Sequence, residues 1–67
     1  MQNEPTYIVY VKQRDTGETV TLFKTDNKEA ADKFFNNTTV LGATYNFVAL
    51  LNVRSGVELR SCNLQND

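Results

Sequence analysis

The sequence predicts an α+β domain in the order β-β-α-β-β: a four-stranded antiparallel sheet with one helix packed on one face. Three observations carry this. Two strand-like runs flank Asp15-Thr16-Gly17, two more flank Arg54-Ser55-Gly56, and between the pairs Ala30, Ala31, Phe34 and Phe35 recur at helical spacing. Two hairpins joined through one amphipathic helix bury their apolar residues most simply as one sheet under one helix. At 67 residues the chain makes a single domain at most. Residues 7–64 are expected to form it, with 1–6 a flexible polar lead and 65–67 a polar tail.

Each element has a local reason. Tyr7-Ile8-Val9-Tyr10-Val11 is aromatic and β-branched, which favours an extended chain. Asp15 can bond its own backbone and Gly17 supplies a positive φ, so the chain turns there. Glu18 to Lys24 continues as the second strand, with Val20 and Leu22 alternating against Thr19 and Thr21. Asp26 followed three residues later by Glu29 has the form of a capping box and is expected to open the helix. The helical body is placed at 27–36. Asn36-Asn37-Thr38-Thr39 is expected to end it, because Asn tolerates the left-handed conformation and paired Thr disfavours continuation. A helix of about ten residues is not stable alone and must dock on the sheet. Thr38 to Ala43 connects, with Val40 and Leu41 tucked beneath and Gly42 offering a bend. Tyr45 to Val53 is the longest strand, and Val57 to Asn63 or Leu64 the last. Strand order and sheet curvature stay open.

Composition excludes several activities. The chain has no His and one Cys, Cys62. Ser-His-Asp and Cys-His catalysis within one chain, an internal disulfide and a thiolate zinc site are all excluded. No pair of carboxylates falls in an evident pocket, and Asp26 and Glu29 already have a capping role. Gly17, Gly42 and Gly56 are isolated and build no phosphate loop. Neither an enzyme nor a cofactor is expected. Lys plus Arg is 7 against 8 Asp plus Glu, a net charge of −1, which lacks the cationic excess of a polyanion binder. No run reaches the length of a membrane span. Met1 to Thr6 lacks the basic start and apolar stretch of a secretory signal, so a cytoplasmic chain is expected. Two N-x-S/T triplets at Asn36 and Asn37 then read as accidents of an Asn-rich loop.

Strand alternation divides the apolar residues between two faces. Read without irregularities, Val9, Val11, Val20, Leu22, Phe47, Ala49, Leu51 and Leu59 face the helix. Ile8, Tyr10, Phe23, Val48 and Leu50 are left for the far face, which one short helix cannot also cover. An exposed apolar patch of this kind marks an interface, unless the connector and termini cover it or a twisted sheet buries it on itself. A domain this small buries only about 60% of its unfolded surface, which adds a reason for homodimerisation. Arg14 and Arg54 lie in the two hairpin loops, where binding residues concentrate, and a shared end of the sheet would bring them together.

The expected function is a small non-enzymatic protein-interaction module, a regulator or inhibitor. It would bind another protein, or a second copy, through the uncovered face, an edge strand or the hairpin tips. The candidate partner-binding residues are Ile8, Tyr10, Phe23, Val48, Leu50, Arg14 and Arg54. The alternative is a single-stranded nucleic-acid-binding protein that stacks bases on Tyr7, Tyr10, Tyr45 and Phe47, flanked by Lys12, Lys24, Arg54 and Arg60. Ordinary strand composition supplies the same aromatics, and the net charge argues against it.

Overall fold

The computed structural model describes residues 6–40 and 42–64. The elements are β1 (Tyr7–Gln13), β2 (Thr19–Thr25), α1 (Lys28–Thr38), β3 (Tyr45–Asn52) and β4 (Val57–Asn63). One antiparallel sheet runs β2-β1-β3-β4, and α1 packs across β1, β2 and β3. The fold is therefore α+β, a four-stranded antiparallel sheet and one helix. The core is Val9 and Val11 from β1, Val48 and Leu50 from β3, Ala31 and Phe35 from α1, and Leu64.

Both hairpins close the same way. Gly17 N–H donates to the Gln13 carbonyl and Gly56 N–H to the Asn52 carbonyl, each at 2.8 Å. These glycines have φ of 75° and 73°, in the region that other residues avoid. Because β1 and β3 are antiparallel neighbours, the β1–β2 turn and the β3–β4 turn lie at opposite ends of the sheet. Arg14 and Arg54 are thus separated rather than brought together.

The helix begins one residue later than its capping pattern predicts. Asn27, not Asp26, is the N-cap, and its side chain accepts from the N–H of Glu29 (2.9 Å) and of Ala30 (3.3 Å). With the cap at Asn27, Ala30 takes the third helical position and no reciprocal box forms. Asp26 instead accepts from the Thr6 N–H at 2.9 Å, while the Thr6 carbonyl accepts from Val53 N–H at 2.8 Å. Thr6, the only residue of the expected lead among those described, is therefore bonded on both sides. The C-terminal end also differs. The helix runs through Asn36 and Asn37 to Thr38, and Thr39 caps it with φ −63° and ψ −12°. The Thr38 hydroxyl bonds the Phe34 carbonyl at 2.8 Å, so a buried Thr extends the helix instead of ending it. Val40 is 79% exposed and not tucked beneath the connector. Leu41, expected beside it, lies outside the described residues.

The main departure concerns the two faces. Each of the three ladders holds one β-bulge, which leaves out Leu22, Asn46 and Leu59 in turn. Each bulge shifts the strand's alternation by one residue. Phe23 therefore pairs with Val9 and turns toward the helix, where it stacks on Phe34 at 4.6 Å and 7°. Val48 and Leu50 pair with Val11 and Val9 beneath the helix and have no exposed surface. Phe47, Ala49 and Leu51, expected under the helix, lie on the other face. Leu59, also expected there, sits at the bulge of an edge strand and is 40% exposed. Val48 and Leu50 are thus core residues and Phe23 is half-buried against the core, so none of the three is a far-face residue.

This assignment makes the strand parity measurable. Leu50→Ala should cost about 3 kcal/mol in chemical denaturation, as for a buried leucine. Phe47→Ala should cost less than about 1.5 kcal/mol, since only part of its ring is covered. Similar losses at the two positions would contradict the bulged register.

Candidate protein-interaction surface

The sheet face opposite the helix is built from three cross-strand rows. In order β2-β1-β3-β4 these are Lys24, Ile8, Leu51, Glu58; then Thr21, Tyr10, Ala49, Ser61; then Thr19, Lys12, Phe47, Asn63. The outer strands contribute exposed polar and charged residues. The two inner strands contribute Ile8, Tyr10, Phe47 and Leu51, all half-buried, and Ala49. Lys12 is the one charged residue of the inner strands, and its ammonium lies 5.4 Å from the Phe47 ring centroid, within cation–π range.

Tyr10 organises the centre of the face. Its ring lies 6.3 Å from that of Phe47, inclined at 46°. Its hydroxyl donates to the Glu58 carboxylate at 2.8 Å. Since Tyr10 is on β1 and Glu58 on β4, the side chain must reach across β3. That path runs over Ala49, which has no exposed surface although no helix covers it. The hydrogen bond to Glu58 raises the Tyr10 pKa above its ordinary value, with burial and the nearby carboxylate charge adding to it.

The seven residues singled out from sequence separate into three groups. Ile8 and Tyr10 lie on the uncovered face. Phe23, Val48 and Leu50 lie beneath the helix. The arginines sit at the two opposite ends of the sheet. Arg54 is exposed in its loop. Arg14 is half-buried: its Nε donates to the Gly42 carbonyl at 2.8 Å, and one terminal nitrogen donates to the carbonyls of Leu64 (2.8 Å) and Tyr45 (3.3 Å). Its backbone N–H donates to Thr44 O at 3.0 Å. A guanidinium suits this role because it offers several donors in a fixed fork. Arg14 is thus committed to holding the β3 entry and the β4 exit together. Phe47, Leu51, Lys12 and Glu58 were missed as face residues. The signal available was Asn46, a polar residue interrupting an apolar strand, which marks the bulge.

On the helix side, Arg60 lies 4.4 Å from the Phe35 ring centroid and pairs with Asp32 at 3.2 Å. The pair is exposed enough that it contributes at most about 1 kcal/mol. Cys62 is a half-buried free thiol on the helix side. Among the described residues, no group of three or more His, Cys, Asp or Glu residues is placed to hold a metal ion. No helix among the described residues is long and apolar enough to cross a membrane. A shallow depression along α1, lined by Asn27, Glu29, Asp32, Lys33 and Asn36, belongs to the helix's solvated side. Comparison with protein-family models, with curated proteins and with solved structures finds no match.

Two outcomes follow from these contacts. Arg14→Ala should lower unfolding free energy by about 2–3 kcal/mol, because carbonyls lose a charged donor, and Arg14→Lys should recover little of it. Denaturant titration of both variants checks this. Ultraviolet titration should show one tyrosine ionising above the usual value of about 10, and Glu58→Ala should abolish that component. The sign follows from linkage: the folded chain holds the Tyr10 proton more tightly than the unfolded chain. This stabilisation is complete below about pH 10 and is lost as pH rises through the folded value.

Proposed function

We propose that this chain is a small non-enzymatic protein-interaction module, a regulator or inhibitor that occupies a surface of another protein. The single observation that carries the reading is the uncovered sheet face. Its inner strands present Ile8, Tyr10, Phe47 and Leu51 together, framed by Lys24, Glu58, Thr21 and Ser61. An apolar centre with a polar rim is the usual anatomy of a binding patch, and removing such a centre from water favours association. Ile8 and Tyr10 keep the binding role expected of them, while Phe47 and Leu51 replace Val48 and Leu50. Arg54 stays a candidate contact at one hairpin tip, and Arg14 is set aside because its Nε and one terminal nitrogen are engaged with carbonyls inside the fold. The face also serves self-association. A lone thiol suits the reducing cytoplasm as the site of action.

A second reading has one observation in its favour: Tyr10, Phe47 and Lys12 share this face, as in platforms that stack single-stranded bases. Glu58, bonded to Tyr10, places a carboxylate on the same surface and opposes a phosphate backbone.

Affinity capture from lysate, with and without nuclease, separates the readings. The expected result is a stoichiometric protein that survives nuclease. It should be lost with Phe47→Asp and retained with Lys33→Asp on the solvated side of the helix. Bound material that disappears with nuclease and falls steeply with salt would overturn the protein-interaction reading.

A further inference from the structure

We propose that the uncovered sheet face docks against a second copy of this chain, about a twofold axis parallel to the strands. This rests on the interaction reading of the same face and names its partner. The argument is the arrangement of charge. In the first row, Lys24 stands at the β2 edge and Glu58 at the β4 edge, with Ile8 and Leu51 between them. A twofold axis parallel to the strands places the β2 edge of one copy over the β4 edge of the other and keeps each row over itself. Lys24 then meets Glu58 of the second copy, twice by symmetry, and Ile8 meets Leu51.

The other rows fit the same operator. In the second row Thr21 comes over Ser61, and the two Tyr10 rings, each lying over Ala49 of its own chain, meet side by side at the axis. Lys12 comes over Phe47, repeating between copies the contact it makes within one. The alternative twofold, perpendicular to the strands in the sheet plane, would exchange the first and third rows. Lys24 would then face Thr19, Glu58 would face Asn63, and Lys12 would face Ile8. That leaves the carboxylate unpaired and sets an ammonium against an aliphatic side chain. The edge charges Lys24 and Glu58 therefore favour one of the two face-to-face dimers, against the repulsion of two neighbouring Lys12 ammoniums at its third row.

Within one chain Lys24 and Glu58 cannot pair. They sit on the two edge strands, separated by three strand spacings or roughly 14 Å. The face is roughly 20 Å on a side, on the order of 400 Å² per copy. That is about half the ~800 Å² per partner of a standard interface, so the dimer expected is a reversible one.

Sedimentation equilibrium of the full chain from about 1 µM to about 1 mM tests it. Wild type should move reversibly from monomer to dimer. Lys24→Glu and Glu58→Lys should each weaken the dimer by about tenfold or more, as two like-charge contacts replace two attractive ones. The decisive measurement is an equimolar mixture of the two variants, both checked for wild-type circular dichroism. Their heterodimer restores both attractive pairs, so the mixture should dimerise at least as well as wild type. The doubly reversed chain should do so too.

Three outcomes would overturn the proposal: a monomer throughout the range, a dimer indifferent to both reversals, or a mixture no better than its components. A monomer that captures no other protein and keeps its fold with Phe47→Asp would count against the dimer and against the wider reading together. A monomer that still captures another protein through Phe47 would overturn only the dimer.

Discussion

Each strand pair in this sheet carries one residue too many on one side, and this constraint sets the rest of the structure. A bulge at Leu22 turns Phe23 under the helix. One at Asn46 lets both Tyr45 and Val48 contact the core, although they are three residues apart. One at Leu59 puts Glu58 on the open face, while Arg60 and Cys62 pair with Leu50 and Val48 beneath the helix. Strand side chains alternate strictly, so without these insertions a single register could not give one covered and one open face with this composition. Bulges also increase local twist, which suits a sheet that wraps under a helix of only 11 residues.

The small core is held at its ends by polar contacts. At one end Arg14 collects carbonyls from Gly42, Tyr45 and Leu64, and Leu64 N–H returns to Asn46 O at 3.0 Å. At the other, Thr6 links Asp26 at the helix entry to Val53 after β3. Residues far apart in sequence are thereby tied at both ends of a sheet that has no disulfide. A charged, forked donor half-buried against several carbonyls suits a domain too small for a thick apolar core.

The sheet face opposite the helix has a half-buried apolar centre, Ile8, Tyr10, Phe47 and Leu51, that α1 does not cover. Its aromatic pair is inclined and anchored: Tyr10 is held by Glu58, and Lys12 is drawn to Phe47. Anchored side chains lose less freedom when a partner arrives, which lowers the cost of binding. Because Glu58 serves both Tyr10 and the rim of the face, local order and the charge presented to a partner are coupled. At the β4 edge Val57 and Leu59 are exposed, Val57 in the helix-side row with Asn52 and Tyr7 and Leu59 at the bulge.

The sequence by itself determined the number, type and order of the elements, both glycine turns and the docking stripe of the helix. These depend on local conformational preference and on periodicity within a few residues. It identified Ile8 and Tyr10 as far-face residues because β1 carries no extra residue between Tyr7 and Lys12. It could not assign β3, whose residues are apolar on both sides, because its polar references, Asn46 and Asn52, lie at the ends of the strand and the bulge at Asn46 is set only by pairing. Only the tertiary structure decided the rest: Val48 and Leu50 in the core with Phe23 packed against it, Phe47 and Leu51 on the other face, Arg14 as a clamp, and the two hairpin loops at opposite ends. The physical reason is that a bulge is chosen by the pairing of two strands, not by either alone. An arginine's role depends on which carbonyls the fold brings within reach.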